Sequence, residues 1–134
     1  MKYFRRKNIY MSTDKPNVFV ITPFSDEYLA LFDELKNYFK DDYEFLNAKD
    51  MDNEQNILKD VLVGINNADV IIADLTGLNA NVFYEFGLAH ALNKKVIIIT
   101  QHIEELPFDI KSYRAFQYSM LFNKIPELKV ALKK

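Results

Sequence analysis

The sequence predicts one α/β domain built on a parallel sheet covered on both faces, and three observations carry that prediction. First, the runs at residues 18–22 (VFVIT), 70–73 (VIIA) and 95–100 (KVIIIT) are β-branched and apolar without alternation, as strands buried on both faces are. Second, stretches with apolar residues at helical spacing separate them. Third, the connections are short, so right-handed crossovers leave successive strands parallel, in the order β-α-β-α-β-α-β.

Each element follows in turn. Residues 1–16 show no clear period and read as an N-terminal arm, with the domain proper at 17–134. The basic start (Lys2, Arg5, Arg6, Lys7) lacks the apolar core of a signal peptide and reads as a solvated segment. Pro23 ends the first strand. Ser25 can cap a helix whose first turn holds Asp26 and Glu27, and Tyr28, Phe32, Leu35 and Phe39 recur along one face. Residues 43–46 form a short strand, and 50–53 a polar break. Ile57, Leu58, Val61, Leu62 and Ile65 mark one face of a second helix. A loop at 74–81 follows the next buried strand, and a third helix runs to about Leu92. After the strand at 95–100, residues 104–111 are irregular around Pro107. Residues 113–118 alternate as an edge strand would, and Pro126 suits the first turn of a final helix ending near Lys133. No internal repeat or low-complexity tract interrupts this order.

The composition excludes several functions. The chain has 134 residues, 49% hydrophobic and 27% charged, so it can bury a core without a disulfide or structural metal. It has no cysteine, hence no thiol nucleophile and no Cys-built zinc site. Two histidines, His90 and His102, are too few for a His-built metal site unless several carboxylates join them, and neither a metal nor another cofactor is expected. A net charge of -2 is no nucleic-acid footprint. The apolar runs fall far short of the ~20 residues that span a membrane, so a cytoplasmic protein is expected. The aromatic content, 14%, reads chiefly as core and interface packing.

Ligands of open parallel sheets bind beyond the carboxyl ends of the strands. Three segments arrive there, 22–26, 74–85 and 100–102, and the second is dense in small and polar residues: DLTGLNANVFYEFG, residues 74–87. In the helix it opens, Val82, Phe86 and Ala89 form the buried stripe, and Glu85 falls about 60° from its centre. Glu85 therefore sits where packing meets cleft, within a turn or two of the helix start, where the dipole favours the ionised form. An ionised carboxylate with restricted hydration is what a glycosyl-transferring nucleophile needs; the alternative is a glutamate that merely complements the dipole. Asp74 reads equally as a general acid or hydroxyl acceptor and as an Asx-turn bonding amides near Thr76 and Gly77. Asn79 and Asn81 compete as the helix cap, the other being left to face a ligand. Phe24, Ser25, Thr76 and Gly77 complete the candidate binding set, with Gly77 permitting a tight turn. Gly87, inside the helix at a cost of about 1 kcal/mol, is explained by close helix-to-sheet packing, and His90 by a partly buried structural role. No G-x-G-x-x-G or P-loop is present.

The run ADVIIADLTGLNANVFYEFGLAHALNKKVIIIT at residues 68–100, with VFVITPF at 18–24, resembles the nucleoside 2-deoxyribosyltransferase family over about a third of the chain; NVFYEFGLAHAL is the most specific part. The resemblance implies a flavodoxin-like three-layer sandwich around a central parallel sheet of four to five strands. It also implies cleavage of an N-glycosidic bond in a nucleoside or nucleotide, by transfer of deoxyribose to another base or by hydrolysis of a monophosphate. By position Glu85 matches the glutamate that attacks the anomeric carbon, and Asn79 a sugar-contacting residue that is usually Asp or Ser. A two-step displacement with retention follows. A homodimer or higher homo-oligomer is implied, with the neighbouring subunit completing each site; Tyr113, Arg114 and Tyr118 are candidates for donated residues. Two positions depart from the pattern. Phe19 stands where the family often has a Tyr that bonds the nucleophile. Val61 stands where it has an acidic residue acting on the base, with Asp60 one residue and ~100° away; Asp74 is the candidate substitute acid. Two other readings stay open: a TIR-like domain that cleaves NAD or senses a nucleotide in bacterial defence, by fold-level analogy, and a non-catalytic nucleotide-binding or interaction module.

Overall fold

A computed structural model describes residues 15–50, 57–107, 110, 113–120, 129 and 132. The strands are β1 (Asn17–Ile21), β2 (Glu44–Leu46), β3 (Val70–Asp74), β4 (Val96–Thr100) and β5 (Ala115–Gln117). The helices are α1 (Asp26–Tyr38), α2 (Ile57–Asn67) and α3 (Ala80–Ala91), with single-turn 3₁₀ segments at Ala48–Asp50, Thr76–Leu78 and Ile103–Glu105. All five strands run parallel, in the order β2-β1-β3-β4-β5. This is the flavodoxin-like doubly wound order, and it changes direction between β1 and β3.

Alternation along the central strands sorts the core into two layers. Phe19, Ile21, Ile71, Ala73 and Ile98 pack under α2 and α3, against Val61, Ile65, Val82, Phe86 and Ala89. Val18, Val20, Ile72 and Ile99 face α1, against Leu31, Phe32 and Leu35. Because both faces are covered, the central strands read as unbroken apolar runs rather than alternating ones. The final helix expected near 126–133 lies outside the described residues except for Lys129 and Leu132, both helical. Lys129 pairs with Glu34 of α1 at 3.4 Å, and Leu132 packs on the α1-side core. The arm at 1–16 lies outside the described residues apart from Lys15 and Pro16.

Three local expectations are corrected. Leu62 is exposed, and the inward face of α2 is formed by Asp60, Val61, Gly64 and Ile65; nothing is described of the Ile57 and Leu58 side chains. The close helix-to-sheet approach is at Gly64, where an added Cβ would come within 2.1 Å of the Phe19 ring. Gly87 faces open space instead, with nothing within 4 Å of such a Cβ. Ser25 stands at the N-cap of α1 in extended conformation, but its side chain makes no capping bond.

Candidate active site

The change of direction between β1 and β3 leaves a crevice at their carboxyl ends, the place where such sheets bind ligands. A cavity of about 480 Å³ opens there, within the ~300–1,000 Å³ of small-molecule sites. Thr22, Pro23 and Phe24 wall it from the exit of β1; Asn79, Asn81, Val82, Tyr84 and Glu85 wall it from the start of α3. Phe24 and Tyr84, both in this lining, are exposed aromatic residues.

Local rules explain the α3 wall. Asn79 takes the cap: it is extended (φ −61°, ψ 125°) and its Oδ1 accepts the Val82 N–H at 3.1 Å, satisfying one of the donors a helix start leaves open. Asn81 is thereby the asparagine left exposed toward the cavity. Val82, Phe86 and Ala89 are buried as the stripe predicts, and Glu85 at its margin is half-buried. Burial pushes the Glu85 carboxyl above its ordinary value. Glu85 is the sixth residue of α3, beyond the first turn where the dipole acts strongly, so desolvation decides the direction and the expected help from the dipole is not what governs this group.

Asp74 lies beneath this wall, on the α1 side, and not among the residues lining the cavity. It is 1% exposed. Thr76 donates to Asp74 Oδ1 twice, from its N–H at 3.0 Å and its hydroxyl at 2.6 Å, and the Tyr118 hydroxyl donates to Oδ2. The first of these is the Asx-turn that the sequence offers as one of two readings. Thr76 Oγ1 in turn accepts the Gln101 N–H at 2.9 Å. Tyr28 of α1 joins the same network through Thr76 and Gln101. Burial raises the Asp74 carboxyl above its ordinary value, opposed by the bonds from Thr76 and Tyr118, with the charge of Glu27 pushing the same way as burial. Burial, then Asp74, raises the Tyr118 hydroxyl as well.

Of the sequence candidates, then, Phe24, Asn79, Asn81 and Glu85 meet in one cavity. Asp74 is turned into the buried network by the alternation of β3, and Thr76 by its two bonds to Asp74. Ser25 and Gly77 are exposed and outside the lining; Gly77 instead supplies a left-handed turn at φ 77°. The sequence places Thr22 and Pro23 in a segment that reaches the site but does not single them out as lining residues; it misses Tyr84, and the partners of Asp74: Tyr28, Gln101 and Tyr118. For Tyr84 a signal existed, an aromatic beside Glu85 and off the buried stripe. Tyr118 is a buried partner of Asp74 within its own chain, and Arg114 is exposed with its guanidinium over the Phe116 ring. His90 is exposed rather than partly buried, and it hydrogen-bonds Tyr113, whose ring packs on Phe86. Phe19 is buried against the backbone at Gly64, and Val61 and Asp60 are both buried on the inward face of α2. His102, Glu104 and Glu105 group their ligand atoms within 4.8 Å on the turn after β4, all exposed and outside the cavity lining.

The family model for nucleoside 2-deoxyribosyltransferase matches residues 10–125. The chain belongs to that family, a family of enzymes. Solved structures of similar fold include a 2-deoxyribosyltransferase from Bacillus psychrosaccharolyticus (TM-score 0.65, 15% identity, covering 84% of this chain and 90% of that one). A CMP N-glycosidase from Clostridium botulinum is similar as well (0.64, 19%, 87% and 98%). So is a 2-deoxyribosyltransferase from Leishmania mexicana (0.56, 23%, 64% and 65%); this chain spans 65% of the length of that last protein. A search of curated proteins found no match. Among the described residues, no helix is long and apolar enough to cross a membrane.

Proposed function

We propose that this family member cleaves the N-glycosidic bond of a nucleoside or nucleotide bound in the crevice between β1 and α3, with Glu85 as nucleophile. The observation that carries the reading is a half-buried carboxylate facing a ligand-sized cavity at the sheet's change of direction. A Glu85 oxygen bonds the anomeric carbon while the carbon–nitrogen bond breaks and its electron pair leaves with the base, which takes up a proton. Water or a second base then attacks the same carbon and releases the carboxylate, so two inversions give net retention. Restricted hydration makes the ionised carboxylate a stronger nucleophile. Asn81, and the amide nitrogen of Asn79 that the cap does not use, are the polar groups that would meet the sugar. The rings of Phe24 and Tyr84 would meet the base. Phe19 carries no hydroxyl to hold Glu85, so orientation of the nucleophile falls to helix α3 itself.

The test is chromatography of a pool of nucleosides, deoxynucleosides, their monophosphates and NAD, incubated with wild type and with Glu85→Gln. Free base is expected with wild type, with a loss on the order of 10³-fold or more in the variant. Equal turnover by the two proteins ends the proposal. NAD as the only substrate consumed would favour the TIR-like reading, and binding without turnover the non-catalytic module. Substrate class, transfer against hydrolysis, a homo-oligomeric assembly and a cytoplasmic setting all belong to this proposal, and the same chromatogram decides the first two.

A further inference from the structure

The turn that launches α3 is held by groups that do not line the cavity. Gly77 and Leu78 are consecutive left-handed residues, at φ 77° and 52°. For leucine that conformation is costly and persists only where surrounding structure over-determines it. Downstream, the turn is pinned by the Asn79 cap. Upstream it is pinned by Thr76, whose backbone and side chain both bond Asp74 and whose oxygen also takes the Gln101 N–H. Asp74 is in turn fixed by Tyr118, 44 residues later and just past the edge strand β5. Tyr118 is itself tied to β4, its N–H donating to the Thr100 carbonyl at 3.0 Å. A carboxylate this deeply buried, with hydroxyl and amide donors around it, is expensive to keep, yet neither Asp74 nor Tyr118 lines the cavity.

We propose that Tyr118 is a positioning residue for Glu85: with Asp74 and Thr76 it forms a latch that holds the strained turn of Gly77 and Leu78, and thereby fixes Asn79 and the start of α3 relative to the cavity. The edge strand thus supports the site without touching the ligand. This rests on the proposed glycosidic cleavage only for its catalytic readout; the latch itself has a readout of its own.

Tyr118→Phe removes one hydroxyl and keeps the ring in the core, so the fold is retained. On the substrate found in the pool assay, it is expected to lower kcat about 10- to 100-fold, the scale of a misplacement transmitted to the reacting groups, with KM within about threefold of wild type. Asp74→Asn should act alike, and the double variant should be no worse than the poorer single one, because both break the same bond. Independent of turnover, amide hydrogen exchange reads the turn directly. The Val82 N–H bonds Asn79 and not the latch, so in Tyr118→Phe its exchange should quicken at least tenfold, along with that of Thr76, while the amides of β1 stay as protected as in wild type. The inference is overturned if Val82 keeps its protection while Thr76 loses it, or if kcat is unchanged in Tyr118→Phe while Glu85→Gln is inactive. It is also overturned if the two substitutions add, or if the loss of kcat tracks a fall in the folded fraction. If wild type shows no turnover, or Glu85→Gln matches it, the proposed function fails, and the exchange of Val82 alone decides the latch.

Discussion

Glu85 faces two opposed demands, and its environment states which one folding loses. Burial raises its carboxyl above the ordinary value, so between the ordinary pKa and the raised one the folded chain holds more protons than the unfolded chain. Stability therefore falls as pH rises through that window and stays reduced above it. Removing the charge should help: Glu85→Gln is expected to be more stable than wild type at pH 7, by about 0.5–2 kcal/mol. Thermal melts would show this as a midpoint a few degrees higher, with the gap closing as pH falls through the ordinary glutamate range, below which wild type is protonated in both states. A lower midpoint for the variant at pH 7 would contradict the assignment. Catalysis by an ionised Glu85 has the complementary signature. The acid limb of kcat against pH should be displaced upward from that of an ordinary glutamate, and a limb at or below the ordinary range would count against this group as nucleophile.

At the scale of elements, two helix glycines that look alike in sequence do opposite things. Gly64 in α2 lets the helix settle on the Phe19 ring of β1; a methyl group there meets ring carbons at 2.1–2.5 Å. Gly64→Ala should therefore cost about 1–3 kcal/mol, as overpacking does. Gly87 in α3 is exposed with open space around it, and Gly87→Ala should stabilise by about 0.5–1 kcal/mol. Paired denaturant titrations would measure both, and equal signs would refute the assignment. The contrast also marks where sequence reading stops. Strands β1, β3 and β4 were legible because burial on both faces writes an unbroken apolar run. The α3 stripe of Val82, Phe86 and Ala89, with Glu85 at its margin, was legible because one period accounts for all four. Which glycine approaches a ring was not, since that depends on Phe19, 45 positions from Gly64 in the chain. The apolar pattern of α2 points to the wrong face at Leu62 for the same reason: a glycine at the centre of the inward face leaves no apolar mark. The partners of Asp74 were equally hidden, because Tyr28 and Tyr118 reach it only once the sheet has assembled.

Over the whole molecule, the cavity belongs to no single segment: β1 contributes one wall and α3 the other, and only the sheet order brings Thr22–Phe24 opposite Asn79–Glu85. That order follows from the sequence only through its crossovers, since every central strand is a similar apolar run. A ligand bridging the two walls binds the assembled sheet and has no counterpart in the unfolded chain, so its binding energy adds to stability by mass action. The Glu85→Gln protein, expected to bind without turning over, is the form in which to see this. At 100 times its Kd, a nucleoside or nucleotide should add about 2.7 kcal/mol, which for a domain of this size is a rise in melting midpoint on the order of 10 °C. A ligand of the Asp60 side of α2 or of the surface cluster at His102 would not depend on the cavity walls. Phe24→Ala, which removes an exposed ring from one wall and little from the core, should therefore abolish most of the rise while leaving the unliganded midpoint within a few degrees. A full ligand-induced rise in Phe24→Ala would place the binding site elsewhere, and with it the glycosidic chemistry assigned to Glu85.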